Sequence, residues 1–300
     1  MTFFSIIIPT FFSPRLTEVL SALKQQTYYP NINEILVVGQ DHFGNLPEDQ
    51  KVRIIHVEQN PSAAHNRNIG AKAANSEWIC FLDADCIPMH DWLEKISELS
   101  LDKNIAIAGL IDLPYNSNYW TICDHLTGFT NQAAGIVNKT RIKYVSSSNV
   151  LIHRNTFLNL GGFNESLPNT GEDRDFCWRF TNFGGKIYLT RNAVVKHLAQ
   201  RSTFNNAWKH IFQYGVDTAK FRLIHHANSN SVWKVGRFLA RIPIVGEIVG
   251  LFRVSVRFLV RPIVQPTIVK KIKYWPGIFL LDYSHTLGMI SALRTYATYS

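Results

Sequence analysis

Short runs of β-branched apolar residues alternate with longer segments along the first hundred positions of the chain. The runs FFSIIIPT, EILVVG, VRIIHVE and EWICFLDADC have the length and composition of strands. Between the first two runs, apolar positions recur at i, i+3, i+4 and i+7, namely Leu16, Val19, Leu20 and Leu23. This spacing predicts a helix with one apolar face. Ser13 is its expected N-cap and Pro14 its first residue.

The segment PSAAHNRNIGAKAAN has a helical composition and precedes the fourth predicted strand. Strands that alternate with helices in this way predict a parallel, doubly wound sheet. In such sheets ligands bind beyond the carboxyl ends of the strands. We therefore expect the chemistry of the first hundred residues to lie where these runs end.

The middle of the chain is less regular. IAIAGLIDL and YVSSSNVLIHR read as strands, NTFLNLGGFNE and GEDRDFCWRFTNFGG as helices closed by glycine pairs, and KIYLTRNAVVKHL as a final strand pair. From about residue 203 the sequence predicts helices rich in Trp, Phe, Arg and Lys. We expect one domain over residues 1–202 and a basic, amphipathic helical region over 203–300.

The charge of the chain is unevenly distributed. Residues 1–200 contain 17 Lys and Arg against 19 Asp and Glu, whereas residues 201–300 contain 14 against 3. A basic last third indicates a polyanionic partner such as a membrane leaflet. Nothing resembles a nucleic-acid-reading motif, so no nucleic-acid partner is expected.

The four cysteines have no CxxC or zinc spacing, and the N-terminus lacks the features of a signal peptide. These features predict reduced thiols and a cytoplasmic location. A hydrophobic content of 46% also excludes disorder over most of the chain.

Two carboxylates, Asp83 and Asp85, directly follow the apolar strand WICFL. Carboxylates this close repel each other unless a cation lies between them. A hard divalent cation binds readily through one or two carboxylates together with phosphate oxygens. The pair therefore suggests a metal–phosphate site, although a solvated loop would also accommodate it.

The surroundings of this pair resemble family 2 glycosyltransferases with the GT-A fold. The shared features are SIIIPT, the Arg67-Asn68 pair before a small-residue helix, Asp83-Ala84-Asp85, a GGF turn, an ED pair that opens a helix, and a strand ending in His. The resemblance covers roughly residues 3–200. It implies an α/β fold with a mostly parallel central sheet flanked by helices, followed here by a C-terminal helical extension.

The resemblance also implies an inverting transfer of a sugar from a nucleotide-diphosphate donor to a glycan or lipid-linked acceptor. Residues of about 1–100 would form the donor half and about 101–202 the acceptor half. Asp85 would hold Mn²⁺ or Mg²⁺, and Asp83 would reach the ribose or share the metal. Pro9 and Thr10 would lie along the nucleoside. Arg67 would bind the base or phosphates through its planar fork, unless it is an ordinary surface residue.

One position departs from the family pattern. Family members usually carry an Asp immediately after the valines of the second strand, where it reads the nucleobase. Here Gly39 occupies that place, and Asp41 follows two residues later. Asp41 is the candidate substitute, and UDP, GDP and dTDP donors all stay open.

On the acceptor side, the resemblance makes Asp173 the candidate general base, which would take the proton of the acceptor hydroxyl. Glu172 would point elsewhere and hold acceptor or backbone. The alternative is that both carboxylates only favour the positive end of a helix dipole.

Four further positions have two interpretations each. His197 would add a metal ligand or simply pack at a strand end. Asn149, Gly161 and Gly162 would border the acceptor, or form an ordinary strand edge and turn.

The basic tail predicts an interfacial helix. Between residues 244 and 261 an apolar stripe (Val245, Val249, Phe252, Val256 and Leu259) lies beside a basic stripe (Arg253, Arg257 and Arg261). The charges exclude a membrane span, whereas an apolar helix edged by Arg fits a peripheral position on the cytosolic face of a membrane. The alternative is a helical subdomain that packs on the catalytic core and helps form the acceptor site.

Two other functions remain open. The chain could be a non-catalytic member that binds nucleotide sugar or acts as a scaffold, although Asp83, Asp85 and Asp173 are all intact. A nucleotidyltransferase would need a glycine-rich basic loop after the first strand, and PTFFSPRL has no glycine.

Overall fold

The computed structural model describes residues 2–41, 46, 49–58, 62–98, 102–129, 132–133, 141–167, 170–198, 201–226, 231–264 and 271–296. The strands are β1 (Phe4–Phe11), β2 (Ile32–Gln40), β3 (Val52–His56), β4 (Trp78–Leu82), β5 (Cys86–Pro88), β6 (Ile105–Asp112), β7 (Arg141–Ile142), β8 (Asn149–His153) and β9 (Lys186–His197). The helices are α1 (Leu16–Lys24), α2 (Ala63–Ala73), α3 (Trp92–Ser97), α4 (Tyr119–Gly128), α5 (Arg154–Asn159), α6 (Glu172–Asn182), α7 (Phe204–His226), α8 (Ser231–Arg241), α9 (Val245–Val264) and α10 (Trp275–Thr295).

The chain forms two compact units. The sheet unit contains the described residues up to 114, 132–133 and 141–198, and the helical unit contains 115–129 and those from 201 onward. The second boundary lies close to the change of composition near residue 203. Helix α4, however, belongs to the helical unit, although the residues before and after it in the chain belong to the sheet unit. The sequence did not predict this.

The described strands form one mixed sheet in the order β3-β2-β1-β4-β8-β6-β9-β5, with β7 paired to β9. The first four strands are mutually parallel, as their alternation with helices predicted. Strand β8 enters antiparallel between β4 and β6. Strands β1 and β4 are buried along almost their whole length, as expected for strands inside an α/β sheet. The expected α/β class is therefore confirmed, and the antiparallel pairs lie in the later strands.

Two local predictions were wrong. Pro14 is not the first residue of α1, which begins at Leu16 without a side-chain cap, and Ser13 is not its N-cap. Its hydroxyl instead donates to the carbonyl oxygen of Ala84 at 2.9 Å, which joins the end of β1 to the loop after β4. The predicted final strand pair is one continuous strand, β9, which pairs with β6 across an irregularity between Ala108 and Leu110.

The helical unit is held together by apolar packing and by a buried ion pair. Arg261 donates to Asp282 Oδ2 at 2.8 Å and to the carbonyl oxygen of Leu126 at 3.1 Å, and its side chain is almost fully buried. The prediction that Arg261 extends an outer basic stripe is therefore wrong, because this side chain points into the unit. Within the described part of the chain, no helix is both long enough and apolar enough to span a bilayer.

Gly39, at the position of the expected Asp, closes the carboxyl end of β2. Its φ is +137°, in a region that other residues rarely adopt. A Cβ there would lie 2.0 Å from the carbonyl oxygen of Thr10 and 2.6 Å from Asn66 Nδ2. The close approach of β1 and α2 to this backbone therefore excludes a side chain at position 39.

We expect Gly39→Ala to lower the free energy of unfolding by about 3 kcal/mol or more, because it adds a backbone clash to an unfavourable conformation. Gly161→Ala is the matched control. Gly161 also has a positive φ, +83°, but its Cβ would meet no atom within 4 Å. This control should cost only about 1–2 kcal/mol. Urea denaturation followed by Trp fluorescence measures both, and equal losses would contradict the steric explanation.

Candidate active site at the carboxyl ends of the strands

The carboxyl ends of the parallel strands bring Thr10, Asp41 and Asp83 to one edge of the sheet. Thr10 Oγ1 donates to Asp41 Oδ2 at 2.5 Å, and the backbone N–H of Ser13 donates to the same oxygen at 3.0 Å. Pro9 lies buried in β1 beside Val38 of β2. Asp41 thus lies beside the end of β1, near a position where Gly39 leaves no room for a side chain.

The short strand β5 sets the position of Asp85. It pairs antiparallel with β9 so that Cys86 lies opposite His197, and the N–H of Leu198 donates to the carbonyl oxygen of Asp85 at 2.8 Å. His197 Nε2 is consequently 3.6 Å from Asp85 Oδ2. The imidazole is buried, whereas the Asp85 side chain is 31% exposed. The sequence left the role of His197 open, and the structure brings it to the carboxylate.

Asp85, Cys86 and His197 offer ligand atoms within 4.8 Å of one another, which makes them a candidate metal cluster among the described residues. Carboxylate oxygen and imidazole nitrogen suit Mn²⁺, and the exposed carboxylate leaves an opening toward phosphate oxygens. Burial, and then the charges of Asp85 and Asp83, raise the pKa of the Cys86 thiol well above its ordinary value. A thiolate is a soft ligand, whereas Mn²⁺ and Mg²⁺ favour oxygen ligands, so Asp85 and His197 are the residues that fit the ion.

Arg67 lies buried at the centre of a group of carboxylates. Its Nη2 is 2.5 Å from Asp83 Oδ1, and its Nη1 is 3.1 Å from Glu172 Oε1. Burial lowers the pKa of the Arg67 guanidinium, but the charges of Asp83, Asp173 and Glu172 more than reverse this, so the pKa lies above its ordinary value. Arg67 is therefore not the surface residue considered above. It joins the loop after β4 to the start of α6.

Asp173 and Glu172 open α6 behind Gly171, whose positive φ of 98° turns the chain into the helix. Burial raises the pKa of Glu172 well above its ordinary value, Asp173 raises it further, and Arg67 opposes both. Burial also raises the pKa of Asp173, again opposed by Arg67. Both carboxyl groups are thus poised to hold protons more tightly than ordinary side chains.

Three buried polar atoms of this region have no hydrogen-bond partner within the part of the chain that the structure describes: Arg67 Nε, Glu172 Oε2 and Asp173 Oδ1. Asp173 and Ser147 also line one apolar cavity, together with Phe81, Phe163 and Phe176. Buried polar atoms are normally satisfied, so a cluster of unsatisfied ones is the pattern expected where a ligand supplies the missing partners.

Asn149, predicted at the acceptor side, lies in the core of the sheet unit. It is fully buried, accepts from Trp92 Nε1 at 2.8 Å, and donates to the carbonyl oxygens of Leu110 and Ala193. Its amide therefore joins α3, β6 and β9. These contacts give Asn149 a structural role, and a contact with an acceptor stays a prediction without support from its position.

The predicted glycine pair forms a turn held by α2. Asn68 accepts from the N–H of Phe163 and donates to its carbonyl oxygen, at 2.8 and 2.9 Å. A Cβ on Gly162 would lie 2.5 Å from Asn68 Oδ1, whereas Gly161 is open. Gly162 is thus explained by packing on Asn68, and the acceptor contact of both glycines stays a prediction.

An exposed aromatic pair beside Thr10 was not among the residues predicted from the sequence. Phe11 and Phe12 are 61% and 48% exposed, and their rings meet edge to face at 5.2 Å. The available signal was two aromatic residues directly after Pro9 and Thr10, where the buried part of β1 ends. Large exposed aromatic rings at a ligand-binding edge offer a surface on which a planar group can stack.

Comparisons with known proteins give a matching family profile and several similar proteins. The sequence profile of "Glycosyl transferase family 2" matches residues 5–161, more than half of the chain. Pre-mycofactocin glycosyltransferase of Mycobacterium tuberculosis is 26% identical over 152 residues, which are 49% of this chain and 32% of that protein. Glycosyltransferase AglE of Haloferax volcanii is 26% identical over 228 residues, 72% of each chain.

A crystal structure of GalNAc-T7 with UDP, GalNAc and Mn²⁺ has a similar fold. It superposes with a TM-score of 0.52 at 17% identity, over 74% of this chain and 50% of that chain. The chain spans about a third of the length of the mycobacterial relative and half of GalNAc-T7. At this identity the structural likeness concerns the fold.

We expect Arg67→Met to lower the free energy of unfolding by about 3–5 kcal/mol near neutral pH, since it leaves buried carboxylates without their cation. Without Arg67 the pKa values of Glu172 and Asp173 rise further, so both groups bind protons in the folded state more tightly than in the unfolded state. The loss should therefore shrink as the pH falls. Urea denaturation at several pH values measures it.

Arg15→Met is the control for Arg67→Met, because Arg15 forms an exposed ion pair with Glu18. It should change stability little at any pH. In addition, Arg67→Met/Glu172→Gln should recover part of the loss by removing one buried charge. A loss that is the same in acid and at neutral pH would contradict the role of the carboxylates.

Proposed function

This chain belongs to glycosyl transferase family 2 and has the GT-A fold, and we propose that it transfers a sugar from a nucleotide-diphosphate donor to a hydroxyl group of a glycan or lipid-linked acceptor, with inversion at the anomeric carbon. The observation that carries the proposal is the buried carboxylate of Asp173. Its Oδ1 atom has no hydrogen-bond partner among the described residues. Burial raises the pKa of Asp173, and the charge of Arg67 and hydrogen bonds from Ser147 oppose this. These properties suit a general base, because the oxygen atom is available to accept the proton of an acceptor hydroxyl.

In the proposed reaction the acceptor oxygen attacks the anomeric carbon from the face opposite the diphosphate. The new C–O bond forms as the bond from the anomeric carbon to the diphosphate oxygen breaks, and the bonding electrons leave with the diphosphate. The proton of the acceptor hydroxyl passes to the Asp173 carboxylate. A base with a raised pKa holds this proton better at neutral pH than an ordinary aspartate does.

Asp85 and His197 would hold a divalent cation, Mn²⁺ or Mg²⁺. When bound, the ion would supply positive charge that stabilises the departing diphosphate. Support for this assignment is the carboxylate and imidazole that the β5–β9 pairing brings together, with Asp85 open to solvent. Arg67 donates a hydrogen bond to Asp83 Oδ1. We therefore propose that the Asp83 carboxylate contacts the ribose of the donor or shares the ion with Asp85.

The nucleoside would lie along the end of β1. We propose that Asp41 takes over base recognition from the position occupied by Gly39, because its carboxylate is fixed beside Thr10. Pro9 and Thr10 would border the nucleoside, and the exposed rings of Phe11 and Phe12 lie next to them in the chain.

Arg67 acts as a positioning residue in this scheme. Its guanidinium forms ion pairs with Asp83 and Glu172, and its side chain is only 5% exposed. It is therefore better placed to fix the donor-side loop against the acceptor-side helix than to contact phosphates directly. Glu172 would orient Arg67 and leave the chemistry to Asp173.

We expect Asp173→Asn to lower the transfer rate by a factor of about 10²–10⁴ without weakening nucleotide binding, since the amide cannot accept the proton. In the unaltered enzyme, activity should rise with pH through a midpoint above 3.8, the ordinary pKa of Asp, because burial raises the pKa of Asp173. Initial rates over a pH series measure both. An acid limb that persists unchanged in Asp173→Asn would assign the base to another residue.

We expect one of UDP, GDP and dTDP to bind more tightly in the presence of Mn²⁺, and Asp85→Asn and His197→Gln to remove this metal dependence. Isothermal titration calorimetry measures the affinities. His65→Gln is the matched control, because His65 also faces a carboxylate, Glu165, at 2.8 Å, but lies outside the Asp85 cluster. Metal dependence that survives both site variants would refute the assignment. No nucleotide binding to folded protein would favour a scaffold role.

A further inference from the structure

The outward side of α9 is apolar, which is the reverse of an ordinary surface helix. Phe252 and Leu259 are 70% and 76% exposed. The other exposed apolar side chains of this helix are Val245, Ile248, Val249, Leu251, Val256 and Val260. The opposite side contains the buried residues Gly246, Gly250, Val254 and Arg261. The helix therefore presents to solvent the side chains that a globular protein normally buries.

Helix α8 and the turn after it continue the same pattern. Val235, Phe238 and Ile242 recur at spacings of three and four residues and are 57%, 63% and 37% exposed. Ile244, in the turn between the helices, is 72% exposed. The inner sides of α8 and α9 meet at Ala240 and Gly246. We call the exposed apolar side chains of α8, the turn and α9 the α8–α9 surface.

The charges of the helical unit are arranged around this surface. The sequence has three acidic side chains after residue 200, and each forms an ion pair within the unit: Asp217 with Lys220, Glu247 with Arg294, and Asp282 with Arg261. Arg241, Arg253 and Arg257, by contrast, are exposed on α8 and α9. The unit therefore neutralises its acidic groups internally and keeps basic groups at the edge of an apolar surface.

We propose that the α8–α9 surface docks on a bilayer that contains anionic phospholipids, with Phe252 and Leu259 entering the boundary of headgroups and acyl chains. Arg253 and Arg257 lie one helical turn apart along the edge of the apolar side. From there their side chains would reach lipid phosphates. An apolar helix face with Arg at its edge has the composition of an interfacial helix, and anionic headgroups attract each basic residue near the surface. This inference does not depend on the proposed transfer reaction.

The charge pattern disfavours a second copy of the chain as the occupant. A twofold pair would bring the same surface of both copies together, and this surface carries exposed Arg without exposed acidic partners among its described residues. Like charges brought together in this way cost binding free energy. An anionic lipid surface supplies the complementary charge instead.

The test is co-sedimentation of the full chain with vesicles of phosphatidylcholine alone and of phosphatidylcholine mixed with phosphatidylglycerol. We expect binding to the mixed vesicles, and loss of about tenfold or more in affinity for Phe252→Ser/Leu259→Ser, since two large side chains no longer leave water. Phe183→Ser is the matched control. Phe183 is 76% exposed but belongs to the sheet unit, and its variant should bind like the unaltered protein.

A second variant tests the charge without touching the apolar side chains. Arg253→Gln and Arg257→Gln should each weaken binding to the mixed vesicles by about fivefold. Equal binding to both kinds of vesicle, no binding to either, or equal loss in Phe183→Ser would each overturn the proposal. So would a concentration-dependent dimer in light scattering that Phe252→Ser/Leu259→Ser abolishes, because the surface would then belong to a second copy.

Discussion

One buried guanidinium holds the candidate site together. Arg67 lies among Asp83, Glu172 and Asp173, and its positive charge offsets that of three neighbouring carboxylates, of which Glu172 is almost fully buried. Removing charge from water is costly, and the cost is offset only when opposite charges meet in good geometry. Since Asp83 and Glu172 are far apart in the chain, this residue also fixes the loop after β4 against the start of α6. The placement of Asp173 follows from that junction.

A second, smaller constraint acts on the other side of the acidic loop. Strand β5 has only three residues, but its pairing with β9 determines which side chain Asp85 meets. The two aspartates, separated by one residue, are thereby assigned to different partners. Asp83 is drawn to a guanidinium, whereas Asp85 faces an imidazole. A short acidic motif is thereby divided between two different environments.

The sequence predicted those parts of the structure that are determined locally. Strands β1 to β4, helix α2 and the position of Asp83 at a strand end follow from apolar runs and their spacing. The burial of Asn149 and the inward direction of Arg261 could not be predicted, because both depend on partners distant in the chain: Trp92 for the first and Asp282 for the second. The same limit applies to Ser13. Its hydroxyl binds the carbonyl oxygen of Ala84, which is distant in the chain, instead of capping the helix that follows it. Phe11 and Phe12 could have been noticed, because two large rings follow the point where β1 stops being buried.

The order of the strands has a consequence for the growing polypeptide. Strand β4 is buried on the sheet interior, yet one of its two neighbours is β8, whose residues 149–153 are synthesised about seventy residues later. Until those residues leave the ribosome, Trp78–Leu82 presents an apolar, unpaired edge. Such edges invite pairing with other chains. The strand order thus makes the pairing of β4 depend on residues from the second half of the chain, so the sheet closes around β4 only after β8 has been made.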